Sequence, residues 1–97
     1  MSARYVKEFN ADLGELSLNV GGNHWKRFAA RQIDSIQNTL GKKKFLFVER
    51  PVERIEIRVS GETDAYVIEK GVIKDDFEWI KDVLKSFAEK NKVEYKE

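Results

Sequence analysis

Apolar and polar residues alternate through most of this chain, and where the alternation stops a helical spacing takes over. Arg4 to Phe9 alternates as a short strand does. After the turn Asn10–Gly14, the apolar Leu16, Leu18 and Val20 alternate with Glu15, Ser17 and Asn19, giving one buried and one wet face. These stretches predict an N-terminal hairpin. Gly21-Gly22-Asn23 then interrupts the pattern, with Asn23 placed to cap a first helix. At 100° per residue, Trp25, Ala29, Ile33, Ile36 and Leu40 fall on one stripe, with Phe28 at its edge. Gly41 follows where a helix-terminating glycine belongs. The spacing predicts a helix over 24–40.

Three strands are expected next. Phe45–Glu49 is apolar on both faces, Arg50-Pro51 reads as a turn, and Ile55, Ile57 and Val59 alternate with Arg54, Glu56 and Arg58. Ser60-Gly61-Glu62 supplies another turn, and Ala65–Glu69 the third strand. Asp75, with Glu78 three residues on, has the form of a capping box. It opens a last helix on which Phe77, Ile80, Leu84 and Phe87 line one face, beside Val83. The final VEYKE adds an edge strand or simply frays. The order β-β-α-β-β-β-α predicts an α+β fold, an antiparallel sheet with two amphipathic helices packed on one face. Its other face is left wet or open to a partner.

Composition narrows the class more than the activity. Ninety-seven residues are expected to make one domain, 1–97, since two halves would each be too small to bury a core. Apolar residues make up 41% of the chain, which places it among globular proteins. Charged residues reach 36% with no cysteine and one methionine, a thermophile-like balance that also removes disulfides, thiolate nucleophiles and Cys-ligated zinc. The N-terminus MSARYVKEF lacks the apolar stretch of a secretion signal, and no apolar run approaches a membrane span. A soluble, cytoplasmic protein with no membrane partner is the expectation. Net charge is only +1, but residues 1–54 carry ten Lys/Arg against six Asp/Glu, and residues 55–97 carry eight against eleven. That split suits a basic face, or two copies attracting each other. The neutral total argues against a strong duplex-DNA binder, which needs many phosphate-neutralising charges.

Candidate chemistry is sparse. His24, the one histidine, stands at the start of the expected first helix without a nameable partner. Asp75 and Asp76 suit a helix N-terminus, and neighbouring helical positions diverge too far to converge on one ion. No nucleophile triad, phosphate-binding loop or HExxH zinc motif is present, so no enzyme and no cofactor is expected. Gly21-Gly22-Asn23 before a helix could hold an anion, but a two-glycine turn is far commoner than a phosphate site. The basic residues are more informative. Lys26, Arg27 and Arg31 fall on the expected first helix, the last two on one flank, and Lys42, Lys43 and Lys44 follow it directly into Phe45 and Phe47. Cations interleaved with rings suit single-stranded nucleic acid, with Trp25 or Phe28 as the stacking face. The plain alternative is core aromatics beside a solvated basic surface. Trp79 lies about 100° off its helix stripe, where it serves equally as an interface anchor or a lid on the core.

The run from a strand through Lys70-Gly71-Val72 into a helix carrying Phe77, Ile80 and Leu84 resembles the end of the transcriptional-coactivator type of single-stranded-DNA binder. Those proteins lead a curved sheet into a Lys-Gly-Ile turn and a dimerising helix. They have no helix comparable to 24–40, and Lys74 stands where an apolar residue is usual. The order α-β-β-β-α over 24–90 is similar to that of double-stranded-RNA-binding domains, whose last helix begins with lysines; here it begins Lys74-Asp75-Asp76. The expectation is therefore a small non-enzymatic binding protein, a homodimer, contacting single-stranded DNA or RNA through Lys26, Arg27, Arg31 and Lys42–Lys44. The alternative is a protein-interaction or assembly module docking through the open sheet face and Trp79.

Overall fold

The alternation of Ile55, Ile57 and Val59 with charged neighbours is the spine of the molecule. The computed structural model describes residues 4–97, with the side chains of Lys43 and Phe45 outside the description. In chain order the elements are β1 (Arg4–Tyr5), β2 (Glu8–Ala11), β3 (Glu15–Asn19), β4 (Trp25–Ala29), a 3-10 turn (Ala30–Gln32), β5 (Ile33–Phe45), β6 (Val48–Val59), β7 (Tyr66–Glu69), α1 (Phe77–Asn91) and β8 (Glu94–Lys96). Two sheets form, one ordered β1-β7-β6-β5-β8 and one ordered β2-β3-β4. The larger is mixed, because β1 runs parallel to β7 and β8 parallel to β5.

Register decides which face is buried. Cross-strand partners share a face, so the pairs Ile36–Ile57, Ile57–Tyr66 and Ile55–Ile68 put five side chains on one side of the larger sheet. All five are fully buried. The smaller sheet presents Phe9, Leu16, Leu18 and Phe28 to the same core, with the Phe28 and Tyr66 rings 5.4 Å apart. Helix α1 adds Phe77, Ile80, Leu84, Phe87 and Ala88. It also reaches the smaller sheet, where Trp79 meets Phe9 at 5.8 Å between ring centroids. The opposite face of the larger sheet is polar, with Ser35, Gln37, Thr39, Arg54, Glu56 and Arg58 along β5 and β6.

This architecture corrects the expected order. One α-helix is present among the described residues instead of two on one face, and residues 24–40 form β4, the 3-10 turn and the first half of β5. A β-bulge explains the misreading. Ile33 pairs with Val59 but Ser35 with Arg58, so Asp34 is an extra residue in β5. Ile33 and Ile36 therefore both face the core three residues apart, which imitates helical spacing. Weak helix formers (Asp34, Ser35, Asn38, Thr39) had pointed the other way. Gly41 is accordingly mid-strand, not a helix terminus, and Asn23 lies in the β3–β4 turn. Asn19 shapes that turn, its amide donating to Gly22 O at 3.0 Å and accepting from Gly21 N at 2.8 Å.

Arg50-Pro51 is not a turn either. Both residues lie inside β6, and the stretch read as a strand from Phe45 to Glu49 instead contains the reversal at Leu46-Phe47. The capping box at Asp75 does not form. Asp76 occupies the N-cap of α1 without a side-chain capping bond. Residues 55–59 are the end of the longer β6, the third expected strand begins one residue later at Tyr66, and of the two alternatives for VEYKE the edge strand forms. The N-terminal hairpin and the last helix are present, although Arg4–Tyr5 leaves the hairpin to join the larger sheet. Arg4 fastens it there, donating to Glu62 and to the Tyr66 hydroxyl at 2.7 Å.

Candidate nucleic-acid interface

The basic and aromatic residues singled out from the sequence fall into separate places. On β4, strand alternation sends Phe28 inward and Trp25 and Arg27 outward. Phe28 is 7% exposed and packed on Tyr66, so it is a core residue and not a stacking platform. Trp25 is 47% exposed. Arg27 lies opposite Ser17, which lies opposite Asn10, a polar row across all three strands of the smaller sheet. These residues and Lys26 line a shallow depression of about 500 Å³: Asn10, Ser17, Trp25, Lys26 and Arg27. No carboxylate is among them. The approach of Glu15 to Arg27, at 3.5 Å, is long and solvent-exposed, and costs the guanidinium little of its availability.

Lys26 has an acidic neighbour elsewhere. Burial pushes the Glu62 carboxyl up, but hydrogen bonds from Arg4 and Tyr66, with the charges of Arg4 and Lys26, outweigh it and hold Glu62 below the usual carboxylate range. Arg31 does not join Arg27 on a helix flank. It sits in the 3-10 turn, lining a different hollow with Asp12, Leu13 and Glu15.

Lys42, Lys43 and Lys44 are farther still. β5 and β6 pair from Ile33–Val59 out to Phe45–Val48, while β7 accompanies β6 only to Arg54 and β8 accompanies β5 only to Gln37. Beyond the Leu40–Glu53 pair the hairpin continues as a two-stranded arm for about 17 Å, at roughly 3.4 Å per residue. The arm accounts for a long axis of 43 Å against 27 and 24 Å for the others. Lys42 and Lys44 are exposed on it, as are Glu49 and Arg50; Lys43 pairs with Arg50 through its backbone, and its side chain lies outside the described residues. Pro51 is tolerated because the outer edge of β6 has no neighbouring strand at that point.

Two apolar features were not read from the sequence. At the arm's tip Leu46 is 77% and Phe47 97% exposed, and Leu46 adopts a φ of 56°, a left-handed conformation unusual for leucine. The second is a groove of about 440 Å³ between α1 and the β2–β3 turn, lined by apolar Leu13, Trp79, Val83 and Phe87 and by Asp12 and Asp82. Trp79 is 53% exposed, lid and surface at once. Runs of apolar residues read equally well as strand core, so only the pairing register reveals the tip. His24 is exposed in the β3–β4 turn, and no described group of three or more His, Asp or Glu side chains could hold a metal ion. No described helix is long and apolar enough to cross a membrane. No protein-family model matches the chain, and comparison with curated proteins and with solved structures finds no match.

Proposed function

We propose that this chain is a non-enzymatic cytoplasmic protein that binds single-stranded nucleic acid on the outer face of its smaller sheet. The observation that supports the reading is the depression on β4 and its neighbours, where a half-exposed indole, a guanidinium, an amide and a hydroxyl meet without a lining carboxylate. Trp25 offers a ring face to one unstacked base, Arg27 neutralises a flanking phosphate, and Asn10 and Ser17 supply donors and acceptors for a base edge or sugar. Lys26, opposite buried Leu18, starts from the other side of the sheet and adds positive charge at its edge only. An exposed antiparallel face suits this work because its side chains stand on rigid backbone and need little ordering on binding. The Lys42–Lys44 run is not part of this site.

The test is binding of a labelled mixed-sequence single-stranded DNA and of its RNA counterpart, at low and at moderate salt, with tryptophan fluorescence followed in parallel. Binding that weakens log-linearly with salt is expected, with quenching that survives Trp79→Phe and disappears in Trp25→Phe. No binding at low salt, or quenching that tracks Trp79, overturns the proposal.

A further inference from the structure

Eight large apolar side chains stand exposed among the described residues, and five of them belong to two features: Leu46, Phe47 and Val48 on the arm, Leu13 and Trp79 at the groove. Leaving such residues in water forgoes the favourable burial of their apolar surface. The reversal is also unfavourable locally. A two-residue hairpin loop is normally built from Asn, Asp or Gly, whereas here Leu46 takes the positive φ and Phe47 is almost wholly in solvent. Strain and exposure together, at the far end of a projecting element, mark a surface built for contact.

The charges of the two features are complementary. Residues 41–52 hold Lys42, Lys43, Lys44 and Arg50 against Glu49 alone. The groove is lined by Asp12 and Asp82 against Lys90. The groove is empty of the chain's own arm, since Phe47 is 97% exposed. We propose that the arm of one copy seats Leu46 and Phe47 in the Leu13–Trp79–Val83–Phe87 groove of a second copy, with Lys42, Lys44 or Arg50 meeting Asp12 and Asp82. One tip in one groove covers little surface compared with the roughly 1,600 Å² of a standard interface. A two-fold pair in which each arm enters the other's groove doubles the contact and closes the assembly. The proposal does not depend on the nucleic-acid reading.

The test is sedimentation equilibrium of the full chain, free of nucleic acid, over micromolar to submillimolar concentrations. Two variants at exposed positions are compared: Leu46→Ser with Phe47→Ser, which disables the arm, and Ser86→Arg, which fills the groove. Wild type is expected to dimerise, and each variant to weaken association by at least about tenfold. Mixing the variants restores one intact arm–groove contact, so a mixed dimer weaker than wild type but stronger than either variant alone is expected. A wild-type monomer throughout overturns the proposal, whether or not that monomer binds anionic vesicles. Loss in the arm variant alone also overturns it, because that marks a tip-to-tip contact. Loss in the groove variant alone or in neither, or loss in both without recovery on mixing, overturns it as well.

Discussion

The guanidinium of Arg54 lies across the Cα of Gly41: a methyl group built at Gly41 would stand 2.5 Å from Cζ and Nη1. From there Arg54 Nε donates to Glu69 Oε1 at 2.7 Å, and Glu69 is only 5% exposed. The glycine thus makes room, at the root of the arm, for the cation that a nearly buried carboxylate faces. Gly41→Ala is expected to displace the guanidinium and lower stability by about 1–2 kcal/mol, read as a fall in Tm. Arg54→Ala removes the obstacle. In that background Gly41→Ala should be neutral or slightly stabilising, through the reduced entropy of the unfolded chain. Additive effects would show that the two residues do not act through this contact.

The same position shows why part of the fold escapes a linear reading. Gly41 after an apolar stripe looks like a helix terminus because periodicity carries no information about a partner strand. Its actual reason, Arg54 thirteen positions later, exists only once β5 and β6 pair. Asp34 misleads in the same way, since a bulge turns period two into an apparent period of three. By contrast, Ile55, Ile57 and Val59 and the stripe Phe77, Ile80, Leu84 and Phe87 are legible because one regular element explains each. Of the candidate site, Trp25 and Arg27 were legible as residue types, but Asn10 and Ser17 join them only through strand pairing.

Trp25 and Arg27 should fail differently when removed. Trp25→Ala takes away a stacking face, costing about 1–3 kcal/mol per base, or roughly 5-fold to 150-fold in affinity, at every salt concentration. Arg27→Ala removes a phosphate contact and should lower the slope of log affinity against log salt by about 0.7. Anisotropy titrations at four or more ionic strengths separate the two. Equal slopes for wild type and Arg27→Ala would remove Arg27 from the phosphate contacts.

Glu53 predicts how acid acts on the root of the arm. Lys81 donates to its Oε2 at 2.7 Å and Asn38 at 3.0 Å; these bonds, Lys81 first, hold the carboxyl below its ordinary 4.5 against the opposing effect of burial. A depressed folded pKa stabilises above the unfolded value and is lost as pH falls through the folded one. Lys81 is raised above 10.5, chiefly by its bond to Glu53, so its contribution is present below that value and fades as pH rises through the folded pKa. Glu53→Gln should therefore lower Tm at neutral pH, by an amount equivalent to about 1 kcal/mol. The gap to wild type should close as pH falls below 4.5. A gap that persists at pH 3 would assign the loss to packing instead of charge.

Tyr95 offers the opposite kind of change, a deletion that stabilises. It pairs with Ile36 on the core side of β8, and its hydroxyl is buried with no hydrogen-bond partner among the described residues. Burial pushes its pKa up. The ring is still useful, packed against the core with the Lys85 ammonium 5.8 Å from its centroid. A buried hydroxyl without a partner costs about 1–3 kcal/mol of desolvation, whereas the ring without it keeps its apolar contacts. Tyr95→Phe is therefore expected to raise stability by about 1 kcal/mol, a gain of roughly 4–8 °C for a domain of this size. Tyr95→Ala, which loses the ring as well, should lower it. A calorimetric Tm for Tyr95→Phe below that of wild type would mean that the hydroxyl finds a partner in solution, such as a bound water at the α1–β8 seam.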